Sequence, residues 1–388
     1  MTVLLAGAFG QGNPGDEALL AAFARALPGR RPLAVTSDPD ATADAHGVSA
    51  VRRDDRIGLA RAVTRAQAVV VAGGTVFKAL HPASGRPPLA LLGQAAALAA
   101  VTRTLRKPLA LVGVGAGTLP GRRAPMLARA IVRSADLLVL RDDESAARLA
   151  AIGAPTPVRV GADPAWTLLP DPPEPGPQIL AAPRRVVVAS DSGHAVVGPD
   201  RGIVVALSHL AGGLDLGRRL AAGLAPLVAA GVPVRLDPWQ PDGDAPLAAS
   251  AATRLGDGAV VGEPPPDLLA AREGMAGARL VLAQRFHALV AAASAGVPAL
   301  AVAHEPKLTG LARRLGQPTV AAGATPEELA AAIAAALDGP PADVAAIRRE
   351  RASAEDGFRL LRVLLARGRS DEAVDIDGLA LRPEEWLG

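Results

Sequence analysis

Short, unbroken apolar runs that end in glycine or an acidic residue punctuate this chain, and they limit its fold more than any other feature. The first half holds TVLLAGAFG (2–10), LAVTS (33–37), AVVVAGG (68–74), LALVGVGAG (109–117), LLVLRD (137–142) and VRVGADPAW (158–166). Between most of them lie alanine-rich stretches with helical spacing, such as GNPGDEALLAAFARAL. Runs without polar alternation suit strands covered on both faces, and strands that alternate with helices give a parallel sheet between helical layers. LLPDPPEPGPQILAAPRR (168–185) is too rich in proline for a helix or a central strand and reads as a linker. The pattern then resumes with RVVVAS, GIVVALS, the helix LGRRLAAGLAPLVAAG, VPVRLDPW, AVVGE, LVLAQ and PALAVA. The expected class is α/β with two Rossmann-like doubly wound domains. They span 1–170 and 185–340, joined by a linker over 171–184 and followed by a C-terminal helix and tail over 341–388. The final helix, ADVAAIRRERASAEDGFRLLRVLLARG, is amphipathic and could pack on either domain, whereas the tail from Arg369 is polar. Two such domains leave a cleft at the carboxyl ends of their strands, where ligands are expected.

Composition narrows the function classes. A length of 388 residues is comfortable for two domains. The alanine-rich runs are broken before about 18 apolar residues accumulate, so no spanning helix is expected. The opening MTVLLAGAFGQGNPGDE has neither the basic start nor the cleavage site of a secretion signal, so a cytoplasmic location is expected. With no Cys and no HExxH or carboxylate cluster, neither disulfides nor a metal is expected. The pI of about 10.0 suggests nucleic acid, but the formal charge is only +3, and a chain without Tyr or Cys has almost nothing to titrate between His and Lys. Aromatics are 2% and no basic run occurs, so nucleic acid is disfavoured. Lysine stands at only three positions, Lys78, Lys107 and Lys307, among 41 basic residues; where arginine is the default cation, a retained lysine carries information.

Three regions carry candidate chemistry. In FGQGNPGDEALL (9–20), Gly12, Asn13, Gly15 and Asp16 lie where a strand turns into a helix, and the helix start directs amides and a positive dipole end into the cleft. The turn matches neither a Walker A loop nor GxGxxG, and a plain βα turn with acidic residues complementing the dipole explains it equally well. Gly73 and Gly74 in AGG, and Gly115 in VGVGAG, end two further strands, so the three turns are expected to share one rim. Arg141 ends the run LLVLR and could hold a carboxylate or phosphate with its guanidinium fork, or pair with Asp142 or Glu144 as a structural bridge. The third region, QRFHALVAAASAGVPALAVAHEPK (284–307), gathers titratable groups inside an apolar run. Arg285 and His287 fall at the amino end of a helix, where the dipole opposes an imidazolium and a bound phosphate would favour it; His287 is then a candidate general acid, or merely part of the helix cap. His304 and Lys307 follow the next strand, again at a carboxyl end, with His304 read as a wall residue. Trp166 and Trp239 could stack on a sugar but suit core or interface better. His46, His81 and His194 receive no role, and His209 only a weak one.

Taken together these segments resemble the polysaccharide pyruvyl transferases, in particular the CsaB-type bacterial cell-wall branch. The matching stretches are FGQGNPGDEALL, AGG, VGVGAG, LRDDESAARLAAIG with GADPAWTL, PWQPDGDAPLA and QRFHALVAAASAGVPALAVAHEPK, in order from residue 3 to about 316. The resemblance implies two Rossmann-like domains arranged as in GT-B glycosyltransferases. It also implies transfer of the pyruvyl group of phosphoenolpyruvate to a sugar as a ketal, the acceptor in this branch being a lipid-linked disaccharide with N-acetylmannosamine. It places Arg141, His287 and Lys307 at the catalytic positions, and the strand-end and helix-start positions of Arg285, Gly12, Asn13, Gly15, Asp16, Gly73, Gly74, Gly115 and His304 put these around the substrates. Phosphoenolpyruvate is a substrate rather than a cofactor, no cofactor is implied, and membrane contact would be peripheral, through the acceptor.

The chain departs from the family where TVFKALHPASGRPP follows the glycine pair and where the usual YDPK reads HEPK, with His304 and Glu305 substituted; both bear on the acceptor. The frequent arginine after the first strand of the second domain is replaced by Ser208 or His209. Two other functions compete: a GT-B glycosyltransferase using a nucleotide sugar, and a catalytically silent glycan-binding protein.

Overall fold

The protein, described by a computed structural model, is traced over residues 1–82, 85–154, 158–173, 202–337 and 339–367, with the backbone of two short strands at 187–189 and 195–197. In the first half, the strands and helices alternate as β1 (Thr2–Phe9), α1 (Pro14–Ala26), β2 (Arg31–Thr36), α2 (Pro39–His46), β3 (Ser49–Arg52), α3 (Arg56–Arg65), β4 (Ala68–Ala72), β5 (Thr75–Phe77), α4 (Ala90–Thr104), β6 (Leu109–Ala116), α5 (Arg123–Ser134), β7 (Leu137–Leu140), α6 (Asp143–Ala151) and β8 (Arg159–Val160). The sheet order is β3-β2-β1-β4-β6-β7-β8, all neighbours parallel, with β5 also paired to β6. In β4, β6 and β7 every residue is buried, as expected of strands with helices on both faces.

The second half runs from β9 (Val187–Ala189) and β10 (Ala195–Val197) through β11 (Ile203–Leu207), α7 (Gly213–Ala229), β12 (Val234–Pro238), α8 (Pro241–Leu255), β13 (Ala259–Val261), α9 (Leu268–Met275), β14 (Leu280–Ala283), α10 (Phe286–Ser294), β15 (Ala299–Ala303), α11 (Pro306–Arg314), β16 (Thr319–Ala321), α12 (Pro326–Leu337) and α13 (Val344–Arg367). Its parallel sheet is ordered β13-β12-β11-β14-β15-β16. Strand order reverses at β1/β4 in one sheet and at β11/β14 in the other, so the crevice of each domain opens beside the turns that follow those strands.

Two expectations need correction, and one point left open is decided. The run 158–166 is a strand only over Arg159–Val160; Asp163 then caps a single helical turn, Pro164–Thr167, because proline at its first position fixes φ and has no ladder N–H to give. Gly113, at φ 68, makes room for this turn in a bulge of β6, since a Cβ there would run into the Pro164 ring. The run 185–190 does not open the second parallel sheet. Its described part, β9, pairs antiparallel with β10, which follows too closely for the crossover that parallel strands need. Finally, α13 lies on the first domain, where Phe358 meets Phe23 edge-on at 4.9 Å and Arg351 donates to the carbonyls of Trp166 and Leu169. Most of the expected linker, and the tail from Arg369, lie outside the described residues.

The inner face of each sheet joins one shared core, to which Phe23, Trp166, Val204, Trp239, Leu289 and Phe358 all belong, while each outer face has a core of its own. Through this shared core the two domains hold the cleft residues in place.

Candidate functional site

The helix α10 sets the geometry. All nine of its residues, FHALVAAAS, are buried, so it is an apolar rod enclosed on every side rather than an amphipathic surface helix. Its alanines let neighbours approach closely: α1 of the other domain, α9 and α11 all pack on it. Arg285 is the N-cap residue and makes no side-chain cap bond, and His287, in the first turn, turns its Nε2 to Asp163 of the other domain. A Cβ placed on Gly15 of α1 would overlap the His287 imidazole, 2.5 Å from its Cγ. The glycine turn of the first domain and the histidine of the second are thus in direct contact.

Asp163 ties His287 to Arg141. Its Oδ1 lies 3.4 Å from His287 Nε2 and its Oδ2 3.6 Å from Arg141 Nη1, and the carboxylate has no exposure. Burial pushes this carboxyl up, but the charge and hydrogen bond of His287, the Arg141 guanidinium and the Ala165 amide outweigh it and hold Asp163 below the usual carboxylate range. Arg141 is 3% exposed and is held on four sides: it donates from Nε to Asp142 (3.2 Å) and from Nη2 to Thr75 Oγ1 (2.8 Å), and lies 4.7 Å over the Phe286 ring. The fourth side is Gly115, where a Cβ would come within 2.7 Å of the guanidinium. Glu144 does not pair with Arg141; it reaches across to Arg313 and Arg314 of α11.

Around them stand two more charged groups. Asp244, buried in the first turn of α8, accepts from Arg285 Nη2 at 2.6 Å, from the backbone N–H groups of His209, Trp239 and Gln240, and contacts His209 Nδ1 at 2.8 Å. Burial raises the Asp244 carboxyl, yet Arg285 and those hydrogen bonds bring it below its ordinary value. Arg285 also donates to the Leu207 carbonyl, so its orientation is fixed from both ends. Glu305 holds two of the chain's three lysines, Lys78 Nζ at 2.9 Å on Oε1 and Lys307 Nζ at 2.5 Å on Oε2. Burial pushes the Lys307 ammonium down; Glu305 opposes this, and the charges of Lys78 and Arg141 add to it. His304 falls to about 4, through burial first and then Lys307, Lys78 and Arg285, with Glu305 pulling the other way.

The turn after β1 differs from its expected use. Asn13 accepts from the Gly15 amide with its side chain and from the Asp16 and Glu17 amides with its carbonyl, and the Gly10 amide donates to Glu17. Of the amides expected to meet an anion, those of Gly15 and Asp16 are therefore occupied, because an asparagine N-cap satisfies them locally. What the turn offers the cleft is the Asp16 carboxyl, held by Asn13 Nδ2 at 2.7 Å. Burial raises it above the usual carboxylate range against the opposing charges of His287, Lys307 and Arg285, so it faces the same space as those three. Gly12 and Gly74 have positive φ and open surroundings, whereas Gly73 lies against Leu19 and serves the packing of α1. Trp166 and Trp239 are fully buried and belong to the core.

The structure thus brings together Arg141, His287, Lys307, Arg285, His304, Gly15, Asp16 and Gly115. It adds Asp163, Asp244 and Thr75, which the sequence reading had not singled out, and gives a place to Lys78 and Glu305, marked there only as a scarce lysine and as a departure from the family pattern. The Asp-Pro dipeptide at 163–164 and the retained lysine at 78 were the available signals. Among the described residues, no three His, Asp or Glu side chains are grouped to hold a metal ion, and no helix is long and apolar enough to cross a membrane.

The backbone matches sugar-nucleotide enzymes of GT-B fold along almost its whole length. The Anabaena protein HepE in complex with UDP and glucose superposes with a TM-score of 0.59 at 15% identity, covering 95% of this chain and 100% of that one. A UDP-N-acetylglucosamine 2-epimerase described as such from Listeria monocytogenes gives 0.57 at 14%, covering 95% of each. MurG of Acinetobacter baumannii gives 0.51 at 13%, covering 95% and 100%. No curated protein sequence matches the chain. The fold is GT-B, two Rossmann-like domains about a charged cleft. The sequence model of the polysaccharide pyruvyl transferases matches residues 13–306, and the chain belongs to that family of transferases.

Proposed function

We propose that the protein transfers the pyruvyl group of phosphoenolpyruvate to two hydroxyls of a sugar, as a ketal, with release of phosphate. The acceptor in this reading is a cell-wall polysaccharide precursor, lipid-linked and carrying N-acetylmannosamine, met at the cytoplasmic face by at most peripheral contact. The observation that carries the reading is the buried set Arg141, Asp163 and His287, contributed by both domains and joined by one carboxylate.

In this chemistry C3 of the enol gains a proton while C2 is attacked by the first hydroxyl, which loses one. Phosphate then leaves C2, and the second hydroxyl closes the ketal as its proton departs with phosphate or to solvent. His287, oriented by Asp163, gives the proton to C3. Arg141 and Lys307 neutralise the carboxylate and phosphate as charge gathers on the leaving group, in a site where water is scarce and such charges act strongly. Asp16, fixed by Asn13, receives an acceptor hydroxyl, and Arg285 holds the wall of the same space. The reaction as written needs no cofactor, phosphoenolpyruvate being consumed as substrate.

Phosphate release measured with phosphoenolpyruvate and a disaccharide acceptor containing N-acetylmannosamine, beside UDP- and GDP-sugars as donors, tests the reading. Acceptor-dependent phosphate from phosphoenolpyruvate, with a mass gain of one pyruvyl ketal on the glycan, is expected. Turnover of a nucleotide sugar with none of phosphoenolpyruvate would overturn it.

A further inference from the structure

Lys78 lies in TVFKAL, the segment in which this chain leaves the family pattern, and its ammonium reaches across the cleft to the other domain. We infer that Lys78 and Lys307 form a two-lysine clamp for the phosphate of the donor, with Glu305 as a built-in carboxylate that competes for it. The inference rests on the donor reading above and extends it to a residue with no assigned role.

Each oxygen of Glu305 takes one ammonium, Lys78 at 2.9 Å and Lys307 at 2.5 Å, and the oxygens of a phosphate can meet the same two groups. The stem of Lys78 is well supported: a Cβ on Gly117 would meet Lys78 Cβ at 3.1 Å, and three residues earlier on the same segment Thr75 holds the Arg141 guanidinium. Lys78 therefore stands beside the cations already placed on the donor. Its charge acts on Lys307 and on His304, as does that of Arg141 on Lys307. Glu305 is the most exposed member of the trio, 30% against 21% for Lys78 and 24% for Lys307, and it makes no cap bond to its own helix. It can leave toward solvent without vacating a backbone partner. Burial pushes its carboxyl up, but the two lysines outweigh this and keep it an anion, so it is a true competitor for them.

Charge balance favours the exchange. A phosphate ester with an adjoining carboxylate carries about three negative charges near neutral pH. Lys78 and Lys307 supply two of the compensating charges once Glu305 swings aside, Arg141 being already set against Asp142 and Asp163. Lysine, as a compact point charge on a long stem, suits a group that must be released after the bond breaks, where a bidentate arginine would hold it longer.

Calorimetric titration of phosphoenolpyruvate and of inorganic phosphate into the full-length protein, with Lys78→Met and Glu305→Gln variants checked for thermal unfolding, decides the matter. Lys78→Met should weaken both ligands by tenfold or more and raise the KM for phosphoenolpyruvate while leaving that for the acceptor. Glu305→Gln should tighten both several-fold. Unchanged binding in Lys78→Met, or weaker binding in Glu305→Gln, overturns the clamp and leaves the pair as a domain latch; should Lys78→Met fail to fold, the direction of the Glu305→Gln change still decides. Wild-type binding of phosphate but not of phosphoenolpyruvate, lost in Lys78→Met, sustains the clamp and removes the donor reading; wild-type binding of neither removes the clamp.

Discussion

The α-carbon of Gly15 faces the imidazole of His287 so closely that no side chain fits between them. One residue begins a helix of the first domain and the other begins a helix of the second, so this contact fixes the distance across the cleft. Gly15→Ala should push α1 and α10 apart by roughly the width of a methyl group. Misplacements of about 1 Å cost on the order of 100-fold in rate, so kcat/KM should fall by about that factor while the circular dichroism spectrum is kept. Gly93→Ala, in a helix with open space around the new methyl group, is the control and should be neutral or slightly stabilising. Equal activity in the two variants would show that the Gly15 contact does not position His287.

Among the described residues, Asp163 is the one carboxylate that touches both Arg141 and His287. Asp163→Asn keeps the shape and the amide bond from Ala165 but removes the charge that orients the imidazole. A loss of about 100-fold in kcat is expected, in the range that general acid–base groups contribute, with a smaller change in KM. Turnover within threefold of wild type would reduce Asp163 to a structural role.

Much of this arrangement was readable before the fold was known. Arg141, His287 and Lys307 each follow a continuous apolar run, and in a parallel sheet the ends of such runs converge on one rim. Asp163 escaped because the run 158–166 looked like one strand, which would have put that residue mid-sheet; proline at 164 ends the strand early instead. Asp244 was hidden by its place in a helix first turn, where an acidic residue ordinarily complements the dipole and nothing in the spacing says that it faces Arg285. The segment around Lys78 has neither helical nor strand period, so only the rarity of lysine and the departure from the family pattern marked it. The docking of α13 on the first domain was beyond reach for a different reason: an amphipathic pattern states that a helix has a buried face, and not which surface covers it.

Asp244→Asn tests whether Arg285 depends on its partner. Breaking a buried pair by removing one charge costs about 3–5 kcal/mol. Arg285 keeps its bond to the Leu207 carbonyl and a little solvent, so the expected loss lies at the lower end, about 3 kcal/mol, read from the urea midpoint at constant slope. A midpoint shift worth under about 0.5 kcal/mol, the size of a neutral surface change, would show that the network around Asp244 carries little of the fold.

His304 supplies a pH test. Its imidazole falls from 6.5 to about 4 in the folded protein, so between those values the unfolded chain binds the proton and the native one does not. Stability must then rise with pH across that window and be lost as pH falls from about 6.5 toward 4, by up to about 3 kcal/mol. Other groups titrate in the same range, and the comparison with His304→Gln isolates this one. Denaturant unfolding at intervals from pH 7 to 4.5 should show a shallower decline for the variant, by close to one proton in slope at its steepest. Parallel curves would mean that His304 takes up its proton at the same pH in the native cleft as in the unfolded chain, Glu305 offsetting its burial.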